Sequence, residues 1–552
     1  MESGRFLLAV VLMIAVVVVT NIILPPSPPA TPGEEPGPVP ADTAAVDPLP
    51  SATPTDPAPA PPPEPAAETA LPADTVIVSS RLWRYGISTR GGALVLAVLD
   101  SFPSYTSEGE PVQLVPEETT ALIGHRVRIG ERTIDLSTLD FRPSTESFAV
   151  SGSEPGTLHL THEDSAGPRI ELIYTFHPET YLYDVEARIA GAGSGAQLLI
   201  DLGPTLRRND VDVEEDRRNL AFVVNSVARG IESESLGNLE SQEIVNGPLT
   251  WAAIKNKYFL AAVLSSPASA MPFGGVIARP LGEDAVDLTV TLPPNPEGIL
   301  AYRAYVGPQK AEHLAAVGHQ LTDVNPFGWK FLQPLLRPVG HAIVWALVGM
   351  HTALGLAYGW VLVLFGVLIR IVLWPLNAKA MRSQMKTMEL QPRLKEIQAR
   401  YKNEPERLQK EMLRLYKEEG FNPMGGCLPM LIPFPILIAL FFVFQSTIEF
   451  RGVSFLWLPD LSRADPFYIL PVALGVSMFA LQYLSTRTAT EQNPQMKMMM
   501  YFMPIFMTVI FLNFASGLNL YYASMNVASV PQQLQIMKER RRFQARRQAG
   551  GT

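Results

Sequence analysis

A single cysteine, Cys427, stands in 552 residues. That excludes an intramolecular disulfide. It also excludes the lipid-anchored kind of start, which needs a cysteine just after the first apolar run. Histidine is scarce, and all eight copies fall between His125 and His351. No HExxH, Walker A loop or CxxC is present, so no metal, nucleotide or other cofactor is expected, and no DNA partner. Cys427 has no histidine near it in sequence, which favours a packing residue over a nucleophile. A membrane enzyme needs converging nucleophile, base or metal ligands, and none is visible. A polytopic small-solute transporter needs paired repeats with matching broken helices, and no such repeat is seen. These two, and a receptor acting through an external domain, are the competing classes.

Charge is segregated. Residues 377–420 hold eleven Lys/Arg against seven Asp/Glu, and 532–552 hold six against one. The two segments carry +9 of a net −9, leaving −18 elsewhere. Mean hydropathy is +0.13, high for a chain with a large polar part. Such asymmetry marks a membrane protein with two unlike sides.

Residues 6–24 form an apolar run after Arg5. It exceeds the usual signal-peptide core and no clear cleavage site follows, so 1–24 reads as a signal-anchor helix with its N-terminus in the cytoplasm. Residues 25–74 carry 18 of the 50 prolines, eight acids and no Lys or Arg. That composition cannot bury enough apolar surface to fold and reads as an extended tether. From 75 to 324 short alternating apolar runs, punctuated by Gly, Pro, Asn and Asp, predict a large antiparallel β-sandwich, closed by a short helix over 309–321. Residues 325–350, broken by Pro334, Arg337 and Pro338 and bearing Trp329 and Trp345, predict an amphipathic helix along the membrane; a buried soluble helix is the alternative.

Beyond 350 the pattern is of membrane spans, drawn at 351–376, 422–446, 466–484, and two within 498–533. With the anchor that makes six, five of them forming a core. Residues 447–465 then lie outside, 485–497 inside, and the basic tail 534–552 inside. Both basic segments face the cytoplasm, as the positive-inside rule requires. The fold class is thus a polytopic α-helical membrane protein with a large external β-sandwich domain.

Arg370 is the costly residue. It interrupts the apolar run 356–375, and a charge inside a bilayer helix costs roughly 2.5–3.5 kcal/mol on the lenient insertion scale. Either its side chain snorkels to the interface, or it faces a hydrated cavity. Polar residues that would line such a cavity are Gln445, Gln482, Asn513, Ser516, Asn519, Tyr522 and Asn526, each of which alone reads as helix–helix glue. Tyr521 and Ser524 belong to the same set. Pro429, Pro433 and Pro435 remove backbone donors and bend the wall between them. Sixteen of the 19 methionines lie at or after Met350. Met430, Met499, Met503 and Met507, with Phe434 and Phe506, suit a surface that accepts many apolar partners; ordinary packing is the alternative.

The loop 377–421 reads as a helical hairpin broken at Asn403-Glu-Pro405. Its Lys386, Arg393, Lys395 and Arg400, with Arg540 and Arg541 of the tail, are a docking surface or merely a solvated, topology-fixing face.

Several motifs occur together and in order: Ile369-Arg370, Trp374-Pro375-Leu376, Gln391-Pro392, Asn422-Pro-Met-Gly-Gly-Cys-Leu-Pro429, Asp465-Pro-Phe-Tyr-Ile-Leu-Pro471, Met503-Pro504, and Ser516-Gly-Leu-Asn-Leu-Tyr-Tyr522. On these, residues 350–540 resemble the YidC/Oxa/Alb insertase family, in its Gram-negative form with a large external β-supersandwich. The resemblance implies a membrane protein insertase and chaperone of the cell inner membrane. It implies a positively charged, hydrated groove open to cytoplasm and lipid, with Arg370 as its arginine. It implies nascent membrane proteins, the Sec translocase and its accessory subunits, a ribosome or targeting factor, and lipids as partners. Pro433 departs from the pattern, since relatives often carry glutamine there.

Overall fold

A computed structural model describes residues 74–486 and 494–549, apart from 108, 118, 120, 164–167, 192–194, 326–331, 377, 379–392, 395, 398, 402–403 and 419–432. The signal anchor, nearly all of the tether, Lys386, Lys395, Cys427 and Met430 lie outside the described residues. So do the side chains of Phe434, Met499, Arg540 and Arg541. The chain divides into two compact units. Of the described residues, those within 393–418 form one, and the rest form the other.

Strand pairing from Thr75 to Pro308 is antiparallel throughout, except where Thr75–Ser79 runs parallel to Phe148–Ala149. The alternation seen in sequence is structural. Ile170–Phe176 and its neighbour Leu182–Ile189 pair with Tyr174 opposite Val185, and alternate residues turn inward, as the two-residue period of a strand demands. The long strand Glu243–Lys255 joins the two halves of the sheet. Its first part pairs with Phe273–Pro280 and its last part with Phe259–Ser265. The ladder shifts register between Asn246 and Leu249. There Gly247 lies against the backbone of Phe273 and Gly274, where a Cβ would stand 2.4 Å from a carbonyl oxygen. Both halves share one apolar core, in which Trp83 stacks on Tyr85 at 4.1 Å between centroids. Two short helices, α1 (Val213–Asn219) and α2 (Ala311–Val317), complete this domain.

Asp216 of α1 is 1% exposed, and neither of its carboxylate oxygens has a hydrogen-bond partner among the described residues. Burial, then the nearby Asp210, push its pKa up from 3.8 to about 7. Burial lowers the neighbouring Lys255 to about 8. A carboxyl raised this way holds its proton in the folded state. Folding is unpenalised below about pH 4 and loses stability as pH rises towards 7. Each tenfold difference in proton affinity between folded and unfolded chain is worth about 1.4 kcal/mol. Asp216→Asn should therefore raise the melting temperature of the full chain at pH 8 by several degrees, with the gain vanishing near pH 4. Equal melting gains at both pH values would contradict this.

The helical part follows. α3 (Gln333–Leu354) runs through Pro338 and ends where Gly355, at φ 63°, donates back to the His351 carbonyl in the left-handed cap geometry. The chain then turns through 120° into α4 (Tyr358–Val372). In the other unit, α5 (Pro405–Glu418) carries the intrahelical pair Arg414–Glu418 at 2.8 Å. Arg393 and Arg400 are exposed. Next come α6 (Pro433–Ser446), α7 (Ile469–Thr486), α8 (Pro494–Phe511) and α9 (Ser516–Ala549).

Among the described residues no single helix is both long and apolar enough to cross a membrane. The bent pair α3 and α4 passes together, and shorter apolar helices span Pro435–Ser446, Ile469–Tyr483 and Tyr501–Phe511. The outward faces are apolar: Leu368, Ile371 and Val372 on α4, Val472 and Val476 on α7, Ile505 and Val509 on α8, Val527 and Val530 on α9. A belt of this extent is uncommon on a water-facing surface. The inner faces build a second core around Leu362, Phe365, Leu440, Phe444, Leu518 and Tyr521.

Candidate functional site

Arg370 sits in the last turn of α4, where a cation meets the negative end of the helix dipole. It is twelve residues past Tyr358, or about 18 Å along the axis. Its side chain is half-buried, and its Nε is buried without a hydrogen-bond partner among the described residues.

What packs beside it follows from two contacts with α9. Gly366, one turn earlier, lies against the Tyr521 carbonyl and the Met525 amide, leaving 3.0–3.3 Å for a Cβ. Further on, Gln532 Nε2 donates to the Trp374 carbonyl at 3.5 Å. The two helices therefore run side by side in the same direction, with Arg370 abreast of the stretch from Met525 to Gln532. In that stretch Asn526 Nδ2 donates to Ser477 Oγ of α7 at 3.0 Å. Ser529 donates to the Asn526 carbonyl, and Gln532 Oε1 is buried without a partner among the described residues. This is a polar patch of partly unsatisfied groups set among apolar helices, where each unsatisfied group is expensive.

The expected lining residues do not all gather here. Asn526 shares the depth of Arg370. Ser516 and Asn519 are buried at the opposite end of α9: Ser516 Oγ donates to the Asp460 carbonyl and Asn519 Nδ2 to the Phe511 carbonyl. Asn513 is exposed in the turn before α9. Gln445 closes α6 and faces a cavity of about 340 Å³ shared with Arg218, Lys255 and Asn325 of the β-domain. Tyr522 is half-buried, edge-on to Phe511 at 5.4 Å between centroids. Gln482 is partly exposed on α7. Ser477, Ser529 and Gln532 are the polar neighbours missed by the sequence reading. For Ser529 and Gln532 the signal was available, since they recur with Asn526 at helical spacing. Of the apolar set, Met503, Phe506 and Met507 are half-buried on α8, beside the exposed Phe502 and Ile505.

Comparison with known proteins gives two family matches. Residues 349–544 match the family described as 60Kd inner membrane protein, and 75–338 match the YidC periplasmic domain. A protein of Chlorobaculum parvum, named membrane protein insertase YidC, is 30% identical over 84% of this chain and 82% of its own length. One of the same name from Citrifermentans bemidjiense is 29% identical over 97% and 99%. A crystal structure of an active YidC insertase with its first transmembrane domain resolved is 19% identical. It covers 83% of this chain and 91% of its own, with a TM-score of 0.33. That likeness in shape is weak, and the relation rests on the sequences.

Proposed function

Because this chain belongs to the YidC family of membrane protein insertases, we propose that it inserts and helps to fold new inner-membrane proteins through a hydrated groove centred on Arg370. It crosses the membrane six times with both termini in the cytoplasm, and residues 25–350 face the periplasm. The observation that carries this reading is the half-buried, incompletely bonded Arg370 abreast of Asn526, Ser477 and Gln532.

A client must move a short polar tail across hydrocarbon. A polar cleft reaching partway lets the tail leave the cytoplasm without crossing the full apolar thickness. Arg370, held in a setting where charges are weakly screened, attracts acidic residues of the tail. The client's apolar helix moves past Met503, Phe506 and Met507 into lipid. Hydrophobic partitioning and the membrane potential acting on client charges supply the free energy. The chain acts as no enzyme and uses no cofactor. The basic hairpin and tail, through Lys386, Arg393, Lys395, Arg400, Arg540 and Arg541, receive a ribosome or targeting factor. The Sec translocase is a partner in some reactions and absent in others.

The β-domain does not carry insertion. The strand Leu300–Pro308 pairs with both Leu182–Ile189 and Phe259–Ser265, so it must be removed with the rest of the domain. The clean deletion is 75–324. Reconstituted into vesicles, that variant should insert a single-span client at no less than half the full-chain rate. A fall of tenfold or more would show that the external domain does the work, favouring a receptor.

A further inference from the structure

The external loop 447–465 forms a lid over one end of the helices. Its Phe450, Phe455, Leu458 and Leu461 belong to the helical core. Phe455 lies directly on Gly359 of α4, where a Cβ would stand 2.0 Å from the ring. Ser516 and Gly517, the first residues of α9, donate their amides to the Arg463 and Leu461 carbonyls. Asp465 caps α7 through the amides of Phe467 and Leu470. One loop thus ties together α4, α7 and α9, and it continues from α6.

From the other side the β-domain grips the same loop. Arg451 is buried, with its side chain 1% exposed. Its Nε donates to Asp210 Oδ1 at 3.1 Å, Nη1 to the Pro103 carbonyl at 2.8 Å, and Nη2 to the Asn209 carbonyl at 3.1 Å. The guanidinium lies 4.2 Å over the ring of Tyr105. Tyr105 in turn donates its hydroxyl to Asp460 Oδ2 at 3.2 Å. Asp460 Oδ1 accepts from the amide and hydroxyl of Ser462, and its carbonyl accepts from Ser516 Oγ. An unbroken polar chain therefore runs from the β-domain, through the loop, to the start of the helix that carries Asn526. A buried guanidinium with every arm engaged is a costly arrangement unless its geometry is held.

We propose that Arg451 is a positioning residue through which the β-domain clamps the loop 447–465 shut over the external end of the groove. This assigns the β-domain a sealing role and leaves insertion to the helices. The clamp rests on the groove reading given above.

The test uses the full chain in vesicles, with Cys427→Ser and single reporter cysteines labelled by a membrane-impermeant maleimide. Ser516→Cys lies under the lid, fully buried. With Arg451 intact it should resist labelling from the external side. With Arg451→Ala added, labelling should accelerate at least tenfold, while client insertion stays within twofold. Arg451→Lys keeps the charge but gathers its donors on one nitrogen, which cannot span the three acceptors set around the planar guanidinium, and should fall between. Ala262→Cys, deep in the β-domain core, must stay protected in every variant. If it becomes reactive, the domain has unfolded, and Tyr105→Phe, which deletes one hydroxyl, then carries the decision with an expected acceleration of threefold or more. Unchanged Ser516→Cys labelling in folded Arg451→Ala overturns the clamp. Asn526→Cys, probed from the cytoplasmic side, tests the groove separately. If it does not label in the otherwise unaltered chain, the groove reading fails on its own.

Discussion

Arg370→Glu should reduce insertion of a client with acidic residues in its translocated tail at least tenfold, at equal abundance in the membrane. A client whose tail carries no charge should change less than twofold. The cause is the field at one point. Arg370 lies in the last turn of α4 with an Nε that has no partner among the described residues, and the apolar helices around it screen charge poorly. Attraction to a passing carboxylate becomes repulsion when the sign is reversed. Arg370→Ala should fall between the two. Arg370→Lys should retain at least a third of the activity, because attraction to a moving tail needs charge more than a bidentate fork. Insertion rates in reconstituted vesicles, paired for the two clients, check this. Equal losses for both clients would mean that Arg370 serves packing instead.

Gly366→Leu should disable the protein more broadly. Gly366 is where α4 crosses α9, and a Cβ there already stands 3.0 Å from the Tyr521 carbonyl and 3.3 Å from the Met525 amide. Both are helix backbone, so neither can swing away as a flexible side chain could. Overpacking of this kind costs about 1–3 kcal/mol. The forced separation also moves Arg370, one turn further on, away from Asn526 and Gln532. The expected result is a melting temperature lower by several degrees and insertion reduced more than tenfold for charged and uncharged clients alike. Gly366→Ala needs the neighbours to give by only a few tenths of an ångström and should keep at least half of the activity. Thermal melting of the detergent-purified chain, alongside the two-client assay, separates this loss from the charge-specific one at Arg370. A Gly366→Leu protein that melts and inserts normally would mean that the crossing is looser than the structure has it.

The strands were readable because one buried face imposes a period of two, as in 170–176. The alignment of Arg370 with the end of α4 was less readable. The apolar run continues to Pro375, whereas the helix stops at Val372. The grouping of polar residues was least readable. Gln445, Ser516 and Asn519 share chemistry with Asn526, yet the direction of α6 and α9 puts them at the other end. Helix direction relative to a neighbour is set by tertiary packing, such as the close fit at Gly366, and leaves no local trace. The Arg451–Asp210 pair is hidden for the same reason, as 241 residues separate its members. In sequence, Arg451 reads as a solvated loop charge.

The most direct measurement is site-specific crosslinking. A photoreactive residue is placed at position 370 of the full chain, and a ribosome-stalled nascent membrane protein with a short translocated tail is presented to it. Adducts to the tail should form from position 370 and from the neighbouring position 526, and weaken as the client's apolar helix is lengthened and released into lipid. Adducts from 370 to lipid alone, at every client length, would contradict the groove and leave Arg370 as a charge that merely reaches the membrane surface.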